Sequence, residues 1–139
     1  MQYITLQADH AKRFGLVPAV VLHNLIYFVL KNKKDARNKH DGKYWTFNTY
    51  QGWTESMPFL TKFQIRTALR SLREQGAISV GNYNRMRYDK TKWYSVDDAL
   101  LQEAECNDYW KKRTKNFKKA SDKSVAPIPN NEYIYIEPY

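Results

Sequence analysis

Hydrophobic residues recur at helical spacing in two consecutive segments near the middle of the chain. The apolar residues of the first segment are Tyr50, Trp53 and Met57. Those of the second segment are Ile65, Ala68, Leu69 and Leu72. Pro58 ends the first segment because it cannot donate a helical N–H, and Thr61 with Gln64 matches the capping pattern S/T-x-x-E/Q. We predict a helix over residues 50–57, a turn, and a second helix from Lys62 to a left-handed residue at Gly76.

Segments of strand-forming residues surround these two helices. Residues 77–82 and 92–96 predict a hairpin with a basic tip at residues 85–90, and residues 44–47 predict a short first strand that pairs with it. Asn48 or Thr49 then caps the first helix. This order predicts an α+β, mainly α fold: a winged helix-turn-helix with a two- to three-stranded antiparallel sheet and an added C-terminal helix.

The N-terminal part predicts a core helix. Residues 1–14 suit an extended segment followed by a helical turn that ends at Gly15. Residues 19–30 are apolar on almost every side, so we expect a buried central helix with Pro18 in its first turn. His23 and Asn24 lie within it, either as a catalytic or ligand pair or, as we favour for His23, in the core or at an interface. Residues 31–43 are charged, end with the turn dipeptide Asp41-Gly42, and predict a solvated loop.

The C-terminal part predicts one helix and a tail. Asp97 caps a helix that ends in basic residues at 111–113, which suits the helix dipole, and this helix completes the core or forms a dimer seam. Residues 114–124 predict a mobile basic arm. The alternating apolar residues near 132–137 predict a strand that adds to a sheet edge, within the chain or on a neighbour, with disorder as a third option. We therefore divide the chain into a domain at 1–110 and a basic tail at 111–139.

Positive charge is concentrated in two segments. The chain has a formal net charge of +9. Residues 62–92 hold eight basic and two acidic residues, and residues 111–123 hold seven basic and one acidic residue, so each segment carries +6. A polyanion is the natural partner of such a surface, because every phosphate contact releases condensed counterions. The alternative is that the charge only keeps the protein soluble.

The outward face of the second helix is the predicted recognition surface. Arg bonds guanine and Gln bonds adenine in a bidentate manner, while Thr contacts the thymine methyl group. The predicted base-reading residues are Gln64, Thr67 and Arg70, with Ser71 beside them. The predicted phosphate-binding residues are Lys62, Arg66 and Arg73. In the wing, the predicted DNA-binding residues are Arg85, Arg87, Lys90 and Lys92. Phe63 either packs on the turn at Phe59-Leu60, which we favour, or approaches a base.

The same region resembles a known family. The motifs are Trp45-Thr-Phe-Asn48-Thr-Tyr50-x-x-Trp53, Pro58-Phe59, Gln64-Ile65-Arg66, Gly81-Asn82-Tyr83-Asn84 and Tyr88-Asp89-Lys90-Thr91-Lys92-Trp93-Tyr94. Over residues 1–100 they resemble the N-terminal winged-helix domain of phage and plasmid replication proteins, including replisome organisers of the DnaD-like type. The resemblance implies binding of double-stranded DNA at an origin or operator, with helicase or its loader as further partners. We do not expect residues 101–139 to form the additional C-terminal domain that usually engages them.

Other classes of protein receive little support from the sequence. One cysteine, Cys106, and three scattered histidines leave no internal disulfide and no zinc-ligand spacing. Residues 17–30 are the longest apolar run and are too short to span a bilayer. The sequence shows no sign of an active site: it lacks a glycine-rich phosphate loop, a paired acid and base, and a credible nucleophile. We expect no enzyme activity, no cofactor or metal, and no membrane, with a location in the cytoplasm of a bacterial host cell.

Two functional hypotheses remain. The first is a homodimeric, sequence-specific protein of phage or plasmid type that binds double-stranded DNA, in replication initiation or in transcription regulation. Each subunit would place its second helix in successive major grooves, roughly 34–36 Å apart. The alternative is a protein-interaction module that uses the winged helix as a docking surface. That alternative does not require basic charge on the helix and the wing together.

Overall fold

The computed structural model describes residues 2–117 and 137–138. Its helices are α1 Ala8–Phe14, α2 Leu16–Lys34, α3 Tyr50–Ser56, α4 Lys62–Glu74, α5 Asp98–Glu105 and α6 Asp108–Lys115. Its strands are β1 Gln2–Tyr3, β2 Lys39–His40, β3 Lys43–Tyr44, β4 Thr46–Asn48, β5 Ile78–Gly81, β6 Lys92–Val96 and β7 Glu137–Pro138.

Helix α2 is the centre of the core. Gly15, with φ of 100°, separates it from α1, and Pro18 lies in its first turn, as predicted. Its residues are buried almost all round because it packs on α1, on α4 and on strand β6. Phe28 of α2 contacts Trp53 of α3, with ring centroids 5.9 Å apart, so the core continues from α2 into the helix-turn-helix.

The main sheet has the topology of a winged helix. Its strand order is β4-β6-β5, and both pairs are antiparallel. Thr46 lies opposite Tyr94, and Ile78 lies opposite Val96. Together with α2, α3 and α4 this sheet forms an α+β, mainly helical winged helix-turn-helix, which confirms the predicted fold class. The predicted first strand is displaced slightly, since β4 begins at Thr46.

The predicted capping residues lie at the ends of the two helices of the motif. The Thr49 hydroxyl accepts the Gly52 N–H at the start of α3. At the start of α4, Thr61 accepts the Gln64 N–H at 3.1 Å, and Gln64 Oε1 accepts the Thr61 N–H at 2.9 Å. This is the reciprocal capping box predicted from the sequence. Gly76, with φ of 75°, takes the left-handed conformation after α4.

The solvated loop expected over residues 31–43 is wrong. Helix α2 continues to Lys34, and Lys31 and Asn32 are buried. The Asn32 side-chain amide donates to the Trp45 carbonyl at 2.7 Å, which fixes the end of α2 to the strand region. The chain then forms the antiparallel hairpin β2–β3, whose turn is the predicted Asp41-Gly42. Composition alone hid these tertiary contacts, because the polar residues are buried through hydrogen bonds.

The single helix expected after Asp97 is also wrong, because α5 and α6 are separate. Helix α5 ends before Cys106, and Asn107 caps α6 by accepting the Tyr109 N–H at 2.8 Å. This break brings Trp110 into the core, with its ring centroid 4.7 Å from that of His23. Both side chains are fully buried, so His23 is a core histidine.

The beginning of the expected mobile arm packs against α2. Helix α6 extends to Lys115, and Phe117 packs edge-on against Tyr27 with ring centroids 5.2 Å apart. The mobile arm stays a prediction, although α6 includes residues 114–115, and residues 118–124 lie outside the described residues. The division at residue 110 stays a prediction, although α6 crosses it.

The terminal segments contain one short strand pair. Strand β7 pairs with β1 in antiparallel register, with Glu137 opposite Tyr3 and Pro138 opposite Gln2. Of the strand predicted at 132–137, residues 132–136 lie outside the described residues. The pairing at Glu137 agrees with strand addition within the chain.

Replacing Trp110 by Ala should lower the free energy of unfolding by about 3–5 kcal/mol, because it removes a fully buried indole that packs on His23. Lys112→Ala, on the exposed side of the same helix, should stay within about 0.5 kcal/mol of the wild type. Urea denaturation of both variants measures the difference. Equal stabilities would show that α6 does not belong to the cooperative core.

Candidate nucleic-acid interface

One flank of helix α4 faces the sheet and forms a basic cleft. Arg66, Arg70 and Arg73 of α4 line a cavity of about 180 Å³ together with Lys92 of β6 and Tyr50 of α3. Ile65, Ala68, Leu69 and Leu72 point into the core, as the helical period predicts, which leaves the arginines outside. Four cations therefore converge on one concave surface.

Tyr50 connects the two sides of the basic cleft. The guanidinium carbon of Arg66 lies 5.4 Å from its ring centroid, and the Lys92 ammonium lies 5.2 Å from the same point. The Lys92 ammonium also donates a hydrogen bond to the Tyr50 hydroxyl at 2.9 Å. Beneath them Tyr94 is buried, and this burial raises its pKa far above the ordinary value, with Tyr50 adding to the effect. Tyr94 is therefore a neutral part of the cleft wall.

The other flank of α4 is mostly apolar and separates some of the predicted base-reading residues from the basic cleft. Its cavity of about 260 Å³ is lined by Val17, Pro18, Phe63, Gln64, Thr67, Ala68 and Ser71, which we call the apolar flank. Gln64 Oε1 is engaged in the capping box, and Ser71 Oγ accepts a hydrogen bond from Gln75. Only Thr67 of the three predicted polar residues on this flank has no hydrogen-bond partner among the described residues.

The favoured interpretation of Phe63 is wrong. Its side chain is 75% exposed, so the turn at Phe59-Leu60 does not bury it. Phe63 occupies the second position of α4, and it lines a cavity together with Val17 and Pro18 at the start of α2. The helical wheel alone does not reveal this contact between elements.

The wing, residues 82–91, is held by side-chain hydrogen bonds rather than by a continuous ladder. The Asn84 amide donates to the carbonyls of Asp89 and Thr91 at 2.9 and 2.8 Å, and its oxygen accepts the Trp93 indole N–H at 2.7 Å. Asp89 accepts the Thr91 N–H at 3.0 Å, and this bond lowers the pKa of the Asp89 carboxyl. The loop that carries Arg85, Arg87 and Lys90 is thus closed at its base.

An aromatic cluster supports the wing from the side opposite to the core. Tyr83 stacks on His40 with ring centroids 4.3 Å apart and 8° between the planes, and Trp93 meets both rings edge-on. The Tyr83 hydroxyl donates to Asp41 at 2.6 Å, which raises the pKa of Tyr83. Trp45 lies against the same cluster. The hairpin β2–β3 thereby becomes a support for the wing.

The sequence carried little signal for this support. Tyr94 faces the core and Trp93 the opposite side, as expected for neighbours on one strand. The turn dipeptide Asp41-Gly42 marked a reversal within residues 31–43, but nothing nearby indicated that His40 and Tyr83 would meet. Gly81 is part of the same packing, since a Cβ there would approach the Tyr83 and Trp45 rings to 3.1 and 3.3 Å.

A third cavity, of about 550 Å³, lies between the wing and the start of α3. Residues 48–50 form one side and residues 86 and 88–92 the other, and we call it the wing cleft. It shares Tyr50, Lys92 and Tyr94 with the basic cleft, so the two form one continuous groove.

The groove brings five of the predicted site residues together. These are Arg66, Arg70, Arg73, Lys90 and Lys92. Lys62, Arg85 and Arg87 are exposed and line neither cleft, while Gln64, Thr67 and Ser71 line the apolar flank. The predicted residues therefore divide into five cations in the groove, three polar residues on the apolar flank and three exposed cations in neither place.

Basic residues of α4 and of the wing form no ion pair within the described part of the chain. The ion pairs observed there surround the end of α2, where Lys31 and Arg37 approach Asp35 and Lys33 pairs with Glu105. Asp89 lines the groove without forming an ion pair with these cations, so the groove keeps a net positive charge.

A metal site and a membrane-spanning helix are two further possibilities for residues 2–117 and 137–138. In these ranges, His, Cys, Asp and Glu residues do not form a group suited to a metal ion. Likewise, none of the helices in these ranges has both the length and the hydropathy needed to cross a bilayer.

Comparisons with protein-family models, with characterised proteins and with solved structures give no match for this chain. The resemblance noted for residues 1–100 stays a prediction. Function is therefore inferred from the groove itself.

Replacing Asn84 by Ala should open the base of the wing, because one side chain supplies three of its hydrogen bonds. We expect a loss of about 1–3 kcal/mol in the free energy of unfolding and faster hydrogen exchange of the amides at 85–91. Arg85→Ala, whose side chain is exposed, is the matched control. Unchanged exchange in Asn84→Ala would contradict this account of the wing.

Proposed function

We propose that this protein binds double-stranded DNA with helix α4 in the major groove and the wing along the neighbouring backbone. The observation that carries the proposal is the continuous groove, in which five basic side chains lie together without carboxylate partners among the described residues. Such a surface gains free energy from counterion release when phosphates replace condensed ions. A convex helix beside a basic concave surface suits a duplex.

The side chains of α4 would make two kinds of DNA contact: phosphate contacts that position the protein and base contacts that read the sequence. Arg66 and Arg73 lie toward the sheet and are suited to hold phosphates, which sets the register of the protein on DNA. Arg70 lies nearer the outermost line of α4, where a guanidinium can bond guanine O6 and N7. Thr67 can contact a thymine methyl group from the same outer face. Bidentate adenine contact by Gln64 would compete with its hydrogen bond to Thr61, so we assign it a smaller role.

The biological setting follows from the family resemblance. It favours sequence-specific binding by a homodimer in a bacterial host cell, in replication initiation or transcription regulation of a phage or plasmid. Two α4 helices in successive major grooves would read half-sites roughly 34–36 Å apart. Helicase or its loader would be a further partner.

A second candidate function is protein docking through the apolar flank. Phe63 is 75% exposed and Leu16, beside Val17 in the chain, is 64% exposed, so apolar surface is available next to α4. This candidate does not explain the basic groove. It predicts no affinity for duplex DNA at low salt.

Replacing Arg70 by Ala should weaken binding to the cognate site by about 1–3 kcal/mol and relax the preference at one base pair. Lys90→Ala should weaken specific and scrambled duplexes alike, because its ammonium is placed to meet a phosphate. Titration of both variants on both duplexes separates the two roles. Identical behaviour of the variants would contradict the division between reading and positioning.

Affinity for any duplex should fall steeply as salt increases. Removing the phosphate contact of Lys90 should reduce the slope of log K against log salt by about 0.9. Lys12→Ala, an exposed cation on α1 outside the groove, should leave the slope unchanged. Binding isotherms at several salt concentrations provide the measurement, and a salt-independent affinity would exclude the groove as a phosphate site.

A further inference from the structure

The wing cleft has the size and lining of a ligand site rather than of a flat backbone contact. Its volume of about 550 Å³ falls within the range of roughly 300–1,000 Å³ that is usual for small-molecule sites. A wing that only follows the sugar–phosphate backbone does not need a cavity of this size behind it. The lining residues therefore indicate what the cavity accepts.

The lining combines exposed apolar side chains with cations. Tyr88 is 77% exposed and Met86 is 53% exposed, although both belong to a loop that is closed at its base. Lys90 and Lys92 lie on the same side of the cleft and outnumber the one carboxylate of the lining, Asp89, so the lining keeps a net positive charge. An aromatic ring beside ammonium groups is the combination that holds a nucleotide, since the base stacks and the phosphate pairs.

Asn48 adds a hydrogen-bond donor to this lining. It is only 4% exposed, and its oxygen accepts the Thr49 N–H at 2.9 Å. Its Nδ2 is buried and has no hydrogen-bond partner among the described residues, although Asn48 lines the cleft. A buried amide without an acceptor costs free energy unless a ligand supplies one. Carbonyl and ring nitrogen acceptors on the edge of a base meet this need.

We propose that the wing cleft binds one unpaired nucleotide of the DNA, stacked on Tyr88, with its base edge accepting from Asn48 and its phosphate near Lys90 and Lys92. This inference rests on the proposed function, because the groove delivers the strand to the cleft. It extends that function from a regular duplex to DNA with an extrahelical, mismatched or melted position. Unstacking costs least at such positions, so the cleft selects them.

The experiment compares a perfect duplex with the same duplex carrying one extrahelical 2-aminopurine. Wild-type protein should bind the second duplex at least about fivefold more tightly and change the emission of the 2-aminopurine as it stacks. Tyr88→Ala and Asn48→Asp should each reduce this preference, which is the ratio of the two affinities, toward one. The ratio is the readout because a new carboxylate beside the groove would weaken binding to both duplexes alike. The aspartate retains an oxygen for the Thr49 N–H but lacks the donor. Tyr88→Phe should keep the preference, and Tyr3→Ala serves as a control at another exposed tyrosine.

The outcomes separate the cleft from the duplex-binding proposal. Equal affinities of the wild type for the two duplexes would overturn the cleft assignment and leave duplex binding intact. If neither duplex binds, the proposed function fails, and a single-stranded 2-aminopurine oligonucleotide then tests the cleft alone. In that case an emission change lost in Tyr88→Ala supports the cleft, and no emission change overturns it. Displacement of the oligonucleotide by micromolar free thymidine monophosphate would assign the cleft to a free nucleotide and overturn its assignment to DNA.

Discussion

Burial of helix α2 on nearly every side is the constraint that determines the positions of the other elements. An apolar helix of this length is stable in water only when other elements cover it, and here α1, α4, α6 and strand β6 do so. Once α4 uses Ile65, Ala68, Leu69 and Leu72 for that purpose, its arginines must point away from the core. The basic surface is therefore a geometric result of how α2 is covered. Strand β6 contributes differently, because Lys92 shares a strand face with the buried Tyr94 and lies where that face leaves the core and lines the groove.

The groove concentrates like charges, which opposes folding. The cations of α4 and of the wing lack carboxylate partners among the described residues, whereas those near the end of α2 are paired. Self-repulsion of this kind lowers the free energy of unfolding, and it is relieved when a polyanion binds. Cation–π contacts of Arg66 and Lys92 with Tyr50 moderate the repulsion without neutralising the charge.

Local signals predicted the central motif, while long-range contacts escaped prediction. The capping box at Thr61 and Gln64, the left-handed Gly76 and the spacing from Ile65 to Leu72 depend on neighbours in the sequence, and each was confirmed. The loop expected at 31–43 failed because Asn32 is buried through a hydrogen bond to Trp45, thirteen residues away.

The same distinction applies to the site. Residue types identified the cations of α4 and of the wing, since helical and hairpin periodicity place them outward. The break between α5 and α6, the exposure of Phe63 and the support of Tyr83 by His40 depend on which elements meet in space. Local composition does not encode contacts between distant segments. The wing cleft could not be predicted for the same reason, because its two sides are distant in the chain.

The reciprocal cap at the start of α4 places two competing demands on one side chain. Gln64 Oε1 closes the first turn of the helix through the Thr61 N–H, while contact with a base edge would draw the same amide outward. Reading a base with this side chain would weaken the cap, so fraying of the helix end would offset part of the gain in affinity. A glutamate at the same position would keep the cap and repel phosphate. Glutamine is thus a compromise between local folding and tolerance of a negatively charged partner.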